Sequence, residues 1–204
     1  MIDLKFAKAS ANQVRFSEDE NQASMEPSSL NSRSHHRDNM LRNGLMISSS
    51  VTPELDDRVS EVCISLGVPR KAVSAFVYSS AEINADCLVD SDETCLLRFS
   101  SGLVNLMDAK EFKFVCGHEL GHFLLNHGAC VQTTLEDTPE GYMMSRAREL
   151  SADRIGYLAI EDIDEAIQAI MKTASGLGDQ YLRFDIASFL SQRNEIANSR
   201  SGER

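Results

Sequence analysis

The N-terminal quarter of the chain differs from the rest in its hydrophobic pattern. Residues 1–50 are rich in Ser, Asn, Glu and Arg and show no sustained hydrophobic period, which is typical of a disordered or regulatory segment. A short helix around Asn39–Ile47 is compatible with the pattern there. Residues 193–204 form a second polar tail, so we predict one ordered domain over residues 51–192.

The domain is predicted to begin with a helix. Thr52 suits a helix N-cap and Pro53 the first helical position. Apolar residues between positions 55 and 66 then recur on one face of a 3.6-residue period, and Gly67 ends the pattern.

Short strands and longer helices follow in that order. Three runs rich in Val, Ile, Phe and Tyr predict strands joined by polar turns, at 72–78, 83–89 and 94–99. The second half is predicted to be helical, at about 108–127, 141–159, 161–174 and 181–192. The pattern therefore favours an α+β fold in which helices pack on a small antiparallel sheet.

Charge and composition exclude several classes of function. The formal net charge of -11 argues against nucleic-acid binding, which needs clustered Lys and Arg. Residues 1–16 lack the apolar run of a secretory signal, and no apolar stretch reaches the ~20 residues that cross a bilayer. We therefore expect no membrane insertion and a cytoplasmic location with reduced cysteines. Nothing in the sequence points to a particular oligomeric state.

The segment HELGH, residues 118–122, carries the clearest chemical signal. His118 and His122 are one helical turn apart, so both imidazoles lie on one face and can bind one zinc ion. Glu119 then stands beside the open coordination position, where a general base is needed. Gly117 and Gly121 each cost the helix ~0.8–1.0 kcal/mol relative to Ala. Their presence indicates that another element packs very close to this helix.

A catalytic zinc needs a third protein ligand, and Glu149 is the best candidate. A second helix returning past the metal would carry Glu149 and Asp153 on one face. Glu149 would bind the metal, and Asp153 would hold a ligand histidine by a hydrogen bond. His127 lies about 140° around the helix from His122. We therefore expect it to serve polar packing or no role.

Four segments together resemble a known peptidase family. They are TPELDDRVSEVCISLGVP, INADC, SSGLVNLMDAKEFKFVCGHELGHFLLNH and RELSADRIG, within residues 52–160. They are similar to the family of the CAAX prenyl protease, the HtpX heat-shock peptidase and the soluble minigluzincins. The resemblance implies a zincin-like (gluzincin) fold and a zinc metalloendopeptidase acting on a peptide or protein substrate. It implies one Zn2+ per chain on His118, His122 and Glu149, with Glu119 catalytic and Asp153 the hydrogen-bond partner of His118.

The same resemblance implies where substrate binds. An extended peptide would add along a sheet edge at about Thr94–Ser100, which places Leu97 and Phe99 beside it. Asn84, in the Asn-Ala pair of INADC, would contact substrate or hold a turn. Arg183 is a candidate donor to the oxyanion, although an ordinary surface arginine is the plainer interpretation.

Two alternatives to an active peptidase remain open from the sequence. One is a zinc-binding regulatory or interaction protein that keeps the scaffold without turnover. The other is a latent peptidase held inactive by residues 1–50. The intact Glu119 favours the enzyme, because binding a metal needs only the three ligands.

Overall fold

Most helices pack on one face of a four-stranded sheet in the computed structural model, which describes residues 36–91, 93–127 and 138–191, and the first helix packs through Met40 on the other face. The strands are β1 (Gly44–Met46), β2 (Val73–Tyr78), β3 (Ala85–Ser91) and β4 (Thr94–Ser100). The helices are α1 (36–43), α2 (Pro53–Leu66), α3 (Ser101–Leu106), α4 (Ala109–Leu124), α5 (Pro139–Ile160), α6 (Ile163–Ser175) and α7 (186–191), with a 3-10 turn at Arg70–Ala72. The predicted tail 193–204 and residues 1–35 lie outside the described residues.

The sheet is mixed, so the predicted fully antiparallel sheet is wrong. Its strand order is β1-β2-β4-β3, in which β2 and β4 are parallel and both outer pairs are antiparallel. The chain leaves β2, passes the end of β4 and returns as β3 on the far side. Strand length and turn composition predict where strands lie but carry no information about which strand is a neighbour.

Two serines at the end of β4 fix this crossover. The Ser100 hydroxyl donates to the Glu82 carbonyl at 2.6 Å and accepts from the Asn84 N–H at 3.1 Å. The Ser101 hydroxyl donates to the Ser80 carbonyl at 3.0 Å and accepts from its N–H at 3.2 Å. The two hydroxyls thereby give hydrogen-bond partners to backbone N–H and C=O groups of residues 80–84. In a tight hairpin, such groups would bond to each other.

Strand β1 corrects the predicted start of the domain. It pairs with β2, and Ile47 directly after it donates its N–H to the Ala75 carbonyl at 2.8 Å. Met40 of α1 and Ile47 are buried. Residues 36–47 are thus part of the folded unit and do not lie outside it. A three-residue strand that begins with glycine is too short to produce a readable alternation.

Helices α4 and α5 cross at very short distance, which confirms the expectation drawn from the two glycines. A Cβ on Gly117 would lie 2.7 Å from the Ala159 Cβ, and one on Gly121 would lie 3.1 Å from the Ala152 Cα. Only glycine permits this approach of the two backbones. The crossing brings the second half of α5 alongside the HELGH segment.

A buried ion pair holds α6 against the start of α4. Asp108 and Glu111 form a capping box, in which the Glu111 carboxylate also accepts from the Lys172 ammonium at 2.8 Å. Glu111 and Lys172 are both fully buried. Lys172 further contacts the exposed Asp179 at 2.7 Å. Because α6 forms one wall of the site described below, this pair fixes that wall relative to α4.

Across the described ranges, the helices are all too short or too polar to span a membrane.

Candidate metal centre and active site

Three side chains from two helices converge on one point. The Nε2 atoms of His118 and His122 on α4 lie 3.2 Å apart. The Glu149 carboxylate of α5 reaches in with Oε2 at 3.4 Å from the His118 Nε2 and Oε1 at 3.8 Å from the His122 Nε2. In a tetrahedral zinc site with bonds of about 2.0–2.1 Å, neighbouring donor atoms are about 3.3–3.4 Å apart. The donor set and its spacing therefore fit one zinc-sized ion.

Asp153 holds the first of the two histidines. It lies one turn after Glu149 on α5, and its Oδ1 is 2.9 Å from the His118 Nδ1. Burial alone would lower the pKa of His118, but this hydrogen bond and the nearby carboxylates raise it. With its proton on Nδ1, the ring turns the Nε2 lone pair towards Glu149 and His122.

His127 contacts the other histidine, which the sequence analysis did not anticipate. Its Nδ1 lies 3.0 Å from the Nδ1 of His122. Burial, then the neighbouring His122 and Arg148, lowers the pKa of His127 to about 4. The sequence did carry a signal for this contact, since Asn126 is a residue type that readily ends a helix by adopting a left-handed conformation.

Glu119 lies beside the converging donors, in a partly buried position. Burial raises its pKa from 4.5 to about 7, with His118 opposing the shift and the carboxylates of Asp86 and Glu149 adding to it. A carboxyl group that titrates near neutrality is suited to take up a proton and release it again.

A cavity of about 320 Å³ opens beside these residues. His118, Glu119, Glu149 and Asp153 form its polar side. The rest of the lining is largely apolar and includes Ile83, Leu103, Phe114, Val115, Ile170 and Ala174. Among the described residues, no Lys or Arg lines the cavity.

Asn84 lies at the rim of this cavity and also holds the chain around it. Its side-chain amide donates to the Tyr78 hydroxyl at 3.1 Å, and its carbonyl accepts from the Ser100 N–H at 2.9 Å. Both roles considered for Asn84 are therefore compatible with its position.

The structure contradicts the predicted contact of Leu97 and Phe99 with substrate. Both residues lie on β4, which is an inner strand, and both are 0% exposed in the core. The sheet edge that contacts α4 is β3, so the predicted edge at Thr94–Ser100 is wrong by one strand. The error follows from the unpredicted parallel pairing of β2 with β4.

Arg183 does not join the site. Its side chain is exposed, and it is absent from the residues that line the cavity. The plainer interpretation of a surface arginine agrees with this position.

Comparison with known proteins supports a peptidase. An Arabidopsis thaliana protein named plastoglobule-localized metallopeptidase 48, chloroplastic, is 23% identical over 168 residues, covering 72% of this chain and 48% of the relative. The chain thus spans about half the length of that relative. The relative is named as chloroplastic, so the cytoplasmic location expected for this chain stays a prediction. No solved structure matches the chain. Residues 49–139 match the model of Peptidase family M48, a range that includes α2, strands β2 to β4 and the HELGH segment of α4.

Proposed function

We propose that this chain is a zinc-dependent metalloendopeptidase with a zincin-like (gluzincin) fold. In this proposal His118, His122 and Glu149 hold one zinc ion, and Glu119 is the general base. The observation that carries the proposal is the convergence of two imidazole Nε2 atoms 3.2 Å apart with one carboxylate, whose oxygens lie 3.4 Å and 3.8 Å from them. The similarity to Peptidase family M48 gives independent support.

In this proposal the chain's own catalytic group, Glu119, transfers one proton. A zinc ion at this site would polarise the scissile carbonyl and make water acidic enough to be deprotonated near neutral pH. The Glu119 carboxylate accepts that proton and then donates it to the departing amine. In the metal-free chain, burial raises the pKa of Glu119 above its ordinary value, which favours its taking up a proton.

Strand β3 offers the surface for an extended substrate. The Asn84 carbonyl accepts from the Ser100 N–H, and the register continues with Ala85 opposite Phe99. In an antiparallel pair the next residues alternate, so Ala85, Cys87 and Val89 direct their N–H and C=O groups away from β4. A peptide can therefore pair with β3 as an added strand. This edge replaces the one predicted from the sequence.

The cavity beside Glu119 selects the side chain that enters it. Its wall of Ile170, Phe114 and Leu103 favours an apolar group, and burying that group contributes to binding. The carboxylates on the polar side repel an acidic group. We infer that the preferred substrates place an apolar residue next to the cleaved bond.

The proposal is tested with purified full-length chain loaded with zinc. Metal content is measured by mass spectrometry, and cleavage of a diverse peptide library is mapped in parallel. We expect about one zinc per chain, cleavage beside apolar residues, and no cleavage by Glu119→Gln with its zinc retained. A zinc-loaded wild-type chain that cleaves no peptide would favour the non-enzymatic or the latent alternative, which the next comparison separates. Equal cleavage by Glu119→Gln would remove Glu119 as the base.

The latent-enzyme alternative needs a second comparison. Residues 1–35 lie outside the described residues, so their role stays a prediction. A chain beginning at residue 36 keeps α1 and β1, which a cut at residue 51 would remove. Faster cleavage by the shortened chain would support latency, and equal rates would exclude it.

A further inference from the structure

We propose that His127 is a positioning residue for the metal ligand His122. The inference rests on the proposed zinc site and concerns a residue outside the three ligands. In it, the His122 Nδ1–H donates a hydrogen bond to the Nδ1 of His127, which fixes the tautomer and the rotation of the ligand ring.

The geometry of the two rings defines this bond. Their Nδ1 atoms are 3.0 Å apart, and the rings meet edge to face, with centroids 5.0 Å apart and planes at 75°. One of the two nitrogens must carry the hydrogen. For the His122 Nε2 to offer its lone pair towards Glu149, the proton of that ring must lie on Nδ1. His127 is then the acceptor, with its own proton on Nε2.

The backbone after α4 is shaped to bring His127 back onto the helix. The helix ends at Leu124, and Asn126 adopts a left-handed conformation with φ of 54°. The N–H of Asn126 still bonds to the Phe123 carbonyl at 3.1 Å, so the turn stays tight. On a continued helix, residue 127 would lie about 140° away from His122. The left-handed residue removes that separation.

The two ligand histidines thus have partners of different charge. His118 is held by the Asp153 carboxylate, and His122 is held by a neutral ring. Glu119, Glu149 and Asp153 already direct three carboxylates towards the site. A neutral acceptor orients the second imidazole without adding a fourth negative charge. Outer hydrogen bonds of this kind are worth 10–100-fold in metal affinity.

A pair of substitutions separates this role from simple packing. Asn carries a side-chain oxygen at the same branch point as the histidine Nδ1, so His127→Asn keeps an acceptor. His127→Leu keeps bulk but has no acceptor. Zinc affinity is measured on full-length proteins by competition with a chromophoric chelator. We expect about a 10–100-fold loss for His127→Leu and recovery to within about threefold of wild type for His127→Asn.

Two spectroscopic readouts do not depend on peptidase activity. In the cobalt-loaded protein, His127→Leu should change the visible absorption bands, while His127→Asn should preserve them. In the zinc-loaded wild type, 15N NMR should find the proton of His122 on Nδ1 and that of His127 on Nε2. The NMR measurement needs no substitution, so it remains decisive if His127→Leu does not fold.

The outcomes distinguish this inference from the proposed function. A wild-type chain that binds no zinc would overturn the metal centre and this inference with it. Equal zinc affinity in wild type and His127→Leu would overturn the inference alone, as would an equal loss in both variants. A proton on the Nδ1 of His127 in the zinc-loaded chain would do the same.

Discussion

Gly121 on α4 faces Ala152 on α5 so closely that a Cβ on Gly121 would lie 3.1 Å from the Ala152 Cα. Glu149 lies three residues before Ala152, so this crossing sets how far the third donor stands from His122. The spacing of the three donor side chains therefore depends on how closely the two helix backbones approach each other.

Widening the crossing should weaken both stability and metal binding. In Gly117→Ala the new Cβ would lie 2.7 Å from the Ala159 Cβ, and α5 must shift. The helix gains ~0.8–1.0 kcal/mol in propensity, whereas overpacking costs about 1–3 kcal/mol. We expect a net loss of stability and a weaker zinc affinity, measured by urea unfolding and chelator competition.

The double variant Gly117→Ala/Ala159→Gly is the matched control for this prediction. It removes the atom that the new Cβ meets, so it should recover part of both losses. A single variant Gly117→Ala that is more stable than wild type would show that the close crossing is not needed.

The buried pair between Lys172 and Glu111 should be costly to break from one side. Lys172→Met leaves the fully buried Glu111 carboxylate without its ammonium partner. Loss of one partner from a buried pair costs about 3–5 kcal/mol. Urea unfolding should find a loss of this size in Lys172→Met and a much smaller one in Lys172→Met/Glu111→Gln.

Asp179 provides the exposed counterpart for comparison. It contacts the same ammonium but is 67% exposed, so Asp179→Asn should cost less than about 1 kcal/mol. Equal losses of unfolding free energy in Lys172→Met and Asp179→Asn would mean that burying the pair of Lys172 with Glu111 does not make its loss more destabilising.

Glu119 should make the metal-free chain less stable as the pH rises. The folded protein raises the pKa of Glu119 from 4.5 to about 7, so the folded state binds this proton more tightly than the unfolded chain. The stabilisation is complete below pH 4.5 and is lost as the pH rises through about 7. The contribution of this one group is about 3 kcal/mol.

Comparison with Glu119→Gln measures that contribution together with its coupling to His118. Glutamine does not titrate, and the charge of Glu119 that helps raise the pKa of His118 is lost with it. Urea unfolding with a chelator present should find wild type losing stability relative to Glu119→Gln between pH 4.5 and pH 7. Parallel pH profiles for the two proteins would contradict the raised pKa.

The apolar cavity should control which peptides are cleaved. Ala174→Phe fills part of the space beside Ile170, so peptides with Leu or Phe at the selected position should lose kcat/KM by about 10–200-fold. Peptides with Ala there should lose much less. Ile163→Ala, at an exposed position on the same helix, is the control and should leave the preference unchanged. An unaltered preference in Ala174→Phe would place the selected side chain elsewhere.

Local patterns in the sequence account well for the helices and poorly for the neighbours of each strand. Helix α2 begins after Thr52, at Pro53, and ends before Gly67, as predicted. Helix ends are predictable because capping depends on residues close in the chain. Thr138 and Pro139 turned out to begin α5, where a loop was expected. Strand order depends instead on contacts between distant residues, and the predicted substrate contacts failed with it.

The convergence of His118, His122 and Glu149 was predictable from the sequence. Helical spacing places the two histidines on one face, and the need of a catalytic zinc for a third ligand singles out Glu149. The contact of His127 with His122 was not predictable in this way, since a helix predicted to continue to residue 127 turns that ring away from His122. One left-handed residue, Asn126, reverses the conclusion. Such single-residue departures from helical geometry are where reasoning from periodicity is weakest.

The most direct test of the metal centre is the zinc affinity of Glu149→Gln beside that of Glu140→Gln, a change near the start of the same helix. Glutamine keeps the shape of the side chain but removes the charge that binds the metal. We predict that Glu140→Gln binds zinc as wild type does and that Glu149→Gln loses more than the roughly 100-fold typical of outer contacts. Wild-type zinc affinity in Glu149→Gln would contradict a centre built from both helices.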